Sequence, residues 1–325
     1  MRAVVLDAPT SPLRLAEDHA EPTADHATGA EVIEVTACGV CHSDLHVVDG
    51  DFPSPLPMIL GHEVTGVHPE LGPVMVYAPW GCGDCEQCAE GNDMICADAT
   101  EAGLFTDGGY AERMRVPDRS YLSPLGGLDP VASAPLACGG LTAYRAVLHG
   151  LDVLRRPGPR RRRALVIGAG GLGQYAIRYL RLLTEAEVHA VDLSEAKRTT
   201  AVEIGATAAH ADAAEVPPVD VVIDFIGNHA TLASAAGAVA KQGAVIVVGL
   251  YGGRIEFGLG AVAHEARFLS SFWGSRPQLD ELLDLARREP TIVAPVETLP
   301  LAEAQAAHDR LRSGDVKGRL VLTTD

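Results

Sequence analysis

ALVIGAGGLGQYAIRYLRLL, residues 164–183, is the stretch on which the fold turns. A short apolar run passes through a cluster of glycines into a segment with apolar residues at helical spacing, so it reads as strand, tight turn and helix. Gly168, Gly170 and Gly173 form G-x-G-x-x-G directly after the strand and at the opening of the helix, the context in which that pattern carries weight. Gly168 permits the tight turn, Gly170 lets the backbone approach a pyrophosphate at the helix N-terminus, and Gly173 allows close packing of helix on strand. Together with Gly171 they are the candidate cofactor-binding glycines. The next strand, EVHAVD, ends in Asp192, about twenty residues on, as a dinucleotide fingerprint requires. A carboxylate there accepts hydrogen bonds from the adenosine ribose and repels a 2′-phosphate, so NAD is expected rather than NADP. Arg198, a little downstream, reads as a solvated helix residue.

The texture continues on the C-terminal side. VDVVIDFIG (219–227) and GAVIVVGL (243–250) are short apolar strands suited to a parallel sheet buried on both faces, and they alternate with Ala- and Leu-rich helical stretches. An α/β, doubly wound Rossmann domain is therefore expected here. Residues 1 to about 138 differ, being rich in Gly, Pro and short β-like runs such as EVIEVTACG (31–39) and PVMVYAPWG (73–81). Near the end, Leu279, Leu282, Leu283 and Ala286, then Leu301, Ala304, Ala307, His308 and Leu311, fall at helical spacing, and GRLVLTTD closes as a strand. With 325 residues the chain is long enough for two domains with cores of their own.

A formal charge of −17 argues against a nucleic-acid surface, which needs a basic stripe to neutralise phosphates. The one dense basic run, Arg160 to Arg163, sits between Pro159 and a hydrophobic strand and reads as a solvated turn. MRAVVLDAP lacks the basic start and apolar core of a secretory signal, and no apolar run is long enough to span a bilayer. A cytoplasmic protein with no membrane partner is expected, and its thiols stay reduced. That bears on GCGDCEQCAEGNDMIC (81–96), where Cys82, Cys85, Cys88 and Cys96 follow C-x2-C-x2-C-x7-C. In a reducing compartment disulfides are the minor reading, and bacterial ferredoxins place their fourth cysteine closer. Four thiolates suit a closed tetrahedral zinc cage, which is a structural site.

The remaining cysteines lie elsewhere. TACGVCHSDLHVVDGDFPSPLPMILGHEVTG (36–66) carries Cys38, Cys41, His42, Ser43, Asp44, His46, His62 and Glu63, and Cys138 follows in PLACGGLTAY. A catalytic zinc takes three protein ligands and keeps one position open, and two cysteines with a histidine form one such set. Cys38 reads as a small buried thiol.

In their order along the chain, the Cys41–Glu63 string, the four-cysteine lobe, the PLAC segment and the glycine motif resemble the zinc-dependent medium-chain alcohol dehydrogenases. APWGCGDCEQC and FWGSRPQLDELLDLAR are similar to the bacterial branch that includes secondary-alcohol dehydrogenases. The resemblance covers nearly the whole chain. It implies a GroES-like β-rich catalytic domain, 1–138 with 274–325, around an NAD-binding Rossmann domain at 139–273, with the active site in the cleft. It implies two zinc ions per chain: a structural one on the four-cysteine lobe and a catalytic one on Cys41, His62 and Cys138, a ligand set for which alcohol dehydrogenases are the standard example.

By the same resemblance Glu63 is an acid near the metal, and Asp44 is the carboxylate that orients His62. Ser43 receives the alcohol proton and passes it through the nicotinamide ribose to His46. His42 and Arg319 match positions at the cofactor pyrophosphate, Thr142 one near the nicotinamide, and Phe52, Leu250 and Phe272 positions lining the substrate pocket. Zinc as a Lewis acid would stabilise an alkoxide, and hydride would pass to NAD to give an aldehyde or ketone. The alternatives are a biosynthetic reductase of the same fold acting on a complex carbonyl or iminium, and a zinc-stabilised NAD-binding protein without catalysis. The family association through the edge of the nucleotide-binding sheet implies a homodimer or homotetramer.

Two segments depart from the family pattern. Between His62 and Cys82 the chain is short, as if a barrel strand pair had been trimmed, and only ADAAEVPPVD separates His210 from Val221. The first departure bears on substrate size more than on zinc chemistry.

Overall fold

The computed structural model describes every residue except His26 and Asp325. The chain forms two compact units, one of Met1–Leu141 with Gly274–Asp325 and one of Thr142–Trp273.

The second unit is built on six parallel strands in the spatial order Ala208–His210, Glu187–Val191, Arg163–Ile167, Val219–Asp224, Val239–Val247 and Arg267–Ser270. This is the Rossmann order, in which the first strand of the unit lies at the middle and the chain winds outward in both directions. Ala164, Leu165, Val166, Val221, Val222 and Ile223 are fully buried, which is why these strands are continuous apolar runs rather than alternating ones. Gly171–Leu183 follows the central strand as a helix and buries Tyr175, Ala176, Ile177, Tyr179 and Leu180. Only a 3₁₀ turn, Ala213–Glu215, occupies the short stretch before Val219, and the Asp212 side chain caps it.

In the first unit the strand Glu31–Gly39 is the organiser. It pairs antiparallel with Glu63–His68, with Arg113–Val116 and with the closing strand Arg319–Thr323. Its register places Gly39 opposite Glu63, where a Cβ on Gly39 would lie 2.0 Å from the Glu63 carboxylate, so only glycine fits. The segment expected to lack a strand pair keeps both strands: Glu63–His68 and Gly72–Val76 form a hairpin, and only the turn Pro69–Leu71 between them is short. A helix, His42–Asp49, follows the organising strand and ends on Gly50, whose left-handed φ of 79° closes it. The amphipathic helices Arg276–Arg288 and Ala304–Ser313 bury the apolar positions read from the sequence, His308 among them. Among the described residues no single helix is long and apolar enough to cross a membrane.

Candidate active site

Cys41 is the residue at which the organising strand gives way to the His42–Asp49 helix. Asp44, three residues on, turns its carboxylate back to accept the Cys41 amide at 2.8 Å, which fixes the helix start and the position of the cysteine. His62 and Glu63 enter together at the start of the neighbouring strand, and Cys138 lies at the junction between a 3₁₀ turn and the helix Gly139–Leu154. The fold thereby brings three distant stretches of chain to one place. Sγ of Cys41, Sγ of Cys138, a ring nitrogen of His62 and a carboxylate oxygen of Glu63 lie within 4.8 Å of one another, all buried.

The electrostatics suit a cation. The Cys138 hydrogen bond pulls the Cys41 thiol well below its ordinary range, with His62 assisting against burial, while Cys138 itself is pushed up as the donor. Burial works to lower His62, and Asp44 and Cys41 outweigh it and hold the imidazole high. His62 Nδ1 stands 3.1 Å from Asp44 Oδ1, the outer carboxylate contact that metal-binding histidines require. Burial raises Glu63 to about 7 against the pull of Arg319. Glu63 Oε1 accepts the Gly139 amide at 3.0 Å and is paired with the Arg319 guanidinium. Tetrahedral zinc ligands at about 2.0–2.3 Å stand roughly 3.4–3.8 Å from each other, so this donor set fits the ion.

The second cluster is Cys82, Cys85, Cys88 and Cys96, whose four sulfurs also lie within 4.8 Å of one another. The measured Cys85–Cys88 and Cys82–Cys88 sulfur separations, 3.5 and 4.0 Å, bracket the tetrahedral value of about 3.8 Å. The six cysteines of the two sets are free thiols, as is Cys38. Hydrogen bonds from Cys88 lower Cys85 to about 7, and burial raises Cys88 to about 12.

In the second unit Gly168 takes φ 89° at the turn, and a Cβ on Gly173 would strike the Gly168 carbonyl at 2.0 Å. A Cβ on Gly170 would meet nothing within 4 Å, so there is open space at the helix N-terminus where a pyrophosphate would sit. Asp192 Oδ2 accepts the Ala169 amide and Oδ1 the Ser194 amide, each at 2.9 Å, which holds the carboxylate beside the glycine turn. These features fit a dinucleotide. Arg198 is not simply solvated: it donates to the Asp192 and Leu193 carbonyls at 2.9 Å.

The other residues singled out from the sequence are placed as follows. Ser43 Oγ lies 3.8 Å from Cys41 Sγ. His46 Nδ1 pairs with Asp51 at 2.7 Å, and its ring stands 5.6 Å from that of Phe52. His42 is exposed, Thr142 is buried in its helix, and Arg319 is buried against Glu63. Leu250 and Phe272 are exposed rather than core, at 49% and 41%. Sequence reasoning missed Asp51, Tyr110 and the polar role of His308. The signal for His308 was a lone polar residue on an otherwise apolar helical face; Tyr110, in DGGYAER, gave none.

A dinucleotide-binding Rossmann unit, together with a β-rich unit that carries both a buried Cys₂His set and a four-thiol cage, is the construction of a zinc- and nicotinamide-dependent oxidoreductase. Residues 28–126 match the alcohol dehydrogenase GroES-like domain and residues 171–288 the zinc-binding dehydrogenase domain. The chain is 33% identical to the NAD-dependent alcohol dehydrogenase of Sulfolobus acidocaldarius, over 99% of both. It is 32% identical to an alcohol dehydrogenase of Geobacillus stearothermophilus over the full length of both. The crystal structure of the alcohol dehydrogenase from Aeropyrum pernix superposes with a TM-score of 0.90, at 32% identity, covering 99% of this chain and 100% of that one. The chain belongs to the zinc-dependent medium-chain alcohol dehydrogenase family and is an NAD-dependent oxidoreductase of alcohols.

Proposed function

We propose that this enzyme interconverts primary or secondary alcohols with aldehydes or ketones, holding a catalytic zinc on Cys41, His62 and Cys138 and a structural zinc on Cys82, Cys85, Cys88 and Cys96. The observation that carries the reading is the buried convergence of Cys41, His62, Cys138 and Glu63 within 4.8 Å. When bound, zinc supplies a Lewis acid for the substrate oxygen and NAD accepts the hydride. The chain's own residues do the rest. Asp44 holds the Cys41 amide and the His62 ring in fixed relation. Glu63 is kept by Arg319 and the Gly139 amide as a reserve carboxylate at the ligand set. Ser43 takes the proton released when the alcohol O–H bond breaks, and His46, 17% exposed and anchored by Asp51, delivers it to solvent. Gly168, Gly170, Gly171 and Gly173 form the pyrophosphate turn, with Asp192 on the ribose; His42 and Arg319 serve the pyrophosphate and Thr142 the nicotinamide.

The free thiols support a cytoplasmic location. The strand Arg267–Ser270 pairs on one side only among the described residues, which supports a homodimer or homotetramer formed through that edge. The test of function is NADH formation by the zinc-loaded enzyme with short primary, secondary and benzylic alcohols. Turnover is expected, with Cys41→Ser and His62→Ala reducing it by at least about a thousandfold while each retains one zinc. Full activity in either variant overturns the assignment.

A further inference from the structure

Asp44, in the first unit, is a completely buried carboxyl group. A carboxylate without solvent must have its lone pairs met by donors. The Cys41 amide reaches Oδ2, and His62 stands at Oδ1. The third contact comes from far along the chain: the Tyr110 hydroxyl donates to Oδ2 at 2.9 Å. Behind it, His308 Nε2 lies 3.3 Å from the same hydroxyl, with the two rings edge to face at 5.8 Å. Tyr110 has one proton, and it is spent on Asp44. His308 Nε2–H must therefore be the donor to the tyrosine oxygen, and burial keeps that imidazole neutral.

We propose that Tyr110 and His308 are positioning residues for the catalytic metal site. They form a directional chain, His308 to Tyr110 to Asp44, that sets the rotation of a carboxylate meeting two ligands, Cys41 through its amide and His62 through its ring. Three observations carry this. All three members are buried, so the chain has no water to replace a lost link. The Asp44 carboxylate meets both ligands at once, Oδ2 accepting the Cys41 amide and Oδ1 lying 3.1 Å from His62 Nδ1. The Tyr110 ring is also wedged against the residue before His62: Gly61 sits at φ 94°, and a Cβ there would come within 2.4 Å of that ring. The tyrosine thus acts on His62 from two directions, through its hydroxyl on the carboxylate and through its ring on the backbone. With the Asp44–His62 contact, the chain selects the His62 tautomer that carries hydrogen on Nδ1, leaving Nε2 free for the metal.

This inference rests on the proposed catalytic zinc, and its test separates the two. Zinc content and release from the holoenzyme to 4-(2-pyridylazo)resorcinol are followed for wild type, Tyr110→Phe, His308→Leu and His308→Gln. Wild type holding one zinc per chain instead of two overturns the zinc assignment itself. Given two, Tyr110→Phe should release one of them about 10–100-fold faster with the other unchanged, and should shift the visible spectrum of the cobalt-substituted enzyme. His308→Leu should follow it, whereas His308→Gln, which restores an N–H donor, should stay within a fewfold of wild type. Release rates and a cobalt spectrum equal to wild type in Tyr110→Phe would reduce the pair to core packing and overturn the proposal. A measurement on wild type alone guards against misfolded variants. Long-range ¹H–¹⁵N correlation should find His308 protonated on Nε2, and protonation on Nδ1 alone overturns the proposal.

Discussion

Asp192 condenses the logic of the nucleotide unit into one side chain. Its two oxygens accept the Ala169 and Ser194 amides, so the carboxylate is fixed before any ligand arrives. Asp192→Asn keeps one acceptor oxygen and removes the charge that repels a 2′-phosphate. Hydrogen bonds to charged groups contribute about 1.5–3 kcal/mol, so kcat/KM with NAD should fall roughly tenfold or more while that with NADP rises. Comparing kcat/KM for the two cofactors checks this, and an unchanged ratio would remove Asp192 from the ribose site. Asp192 was legible because the strand–glycine–helix grammar is local, with each glycine's task set by its immediate neighbours. Tyr110 and His308 were not, since 198 residues separate them and neither has meaning until the fold lays one against the other. The metal ligands fall between: Cys41 and His62 stand in one recognisable string, whereas Cys138 takes its meaning only from being brought to them.

At the scale of elements, the basic run shows how a sequence reading changes character once the chain is folded. Arg160 and Arg162 do not face solvent as a free turn; both donate to Asp220, whose side chain is 6% exposed, and the Arg163 amide donates to it as well. The run is a clamp at the edge of the central strand, and it takes its place from Asp220, which the sequence offered as an ordinary residue of an apolar strand. Burial works to raise the Asp220 carboxyl, but the hydrogen bonds from Arg160, the Arg163 amide and Arg162 together hold it below the ordinary carboxylate range. Its folded value lies under its unfolded value of about 3.9, so its contribution is fully present above that pH and is lost as pH falls through the folded value. Because the arginines stay partly hydrated, Asp220→Asn should cost about 1–3 kcal/mol near neutrality, less than breaking a fully buried pair. The difference between variant and wild type in urea unfolding should shrink as the pH approaches 3. A difference that holds constant across that range would mean the clamp works by packing and not by charge.

For the whole molecule, charge and exposed apolar surface pull association in opposite directions. Each copy carries a formal charge of −17, so copies repel over a screening length of about 8 Å at physiological salt. Assembly must then come from apolar surface and backbone pairing. Both are present in the second unit, where Phe257 and Leu259 are 68% and 95% exposed and the strand Arg267–Ser270 leaves one edge unpaired among the described residues. If two copies meet there, the favourable terms are insensitive to salt and the unfavourable one is screened by it. Association should therefore strengthen as salt rises, the reverse of an interface held by ion pairs. Sedimentation velocity at low and high salt should show an oligomer whose dissociation is promoted by low salt, and Phe257→Asp with Leu259→Asp should shift it to monomer by adding like charges where apolar contact is needed. A wild-type chain that sediments as a monomer at every salt and protein concentration would overturn the proposed association.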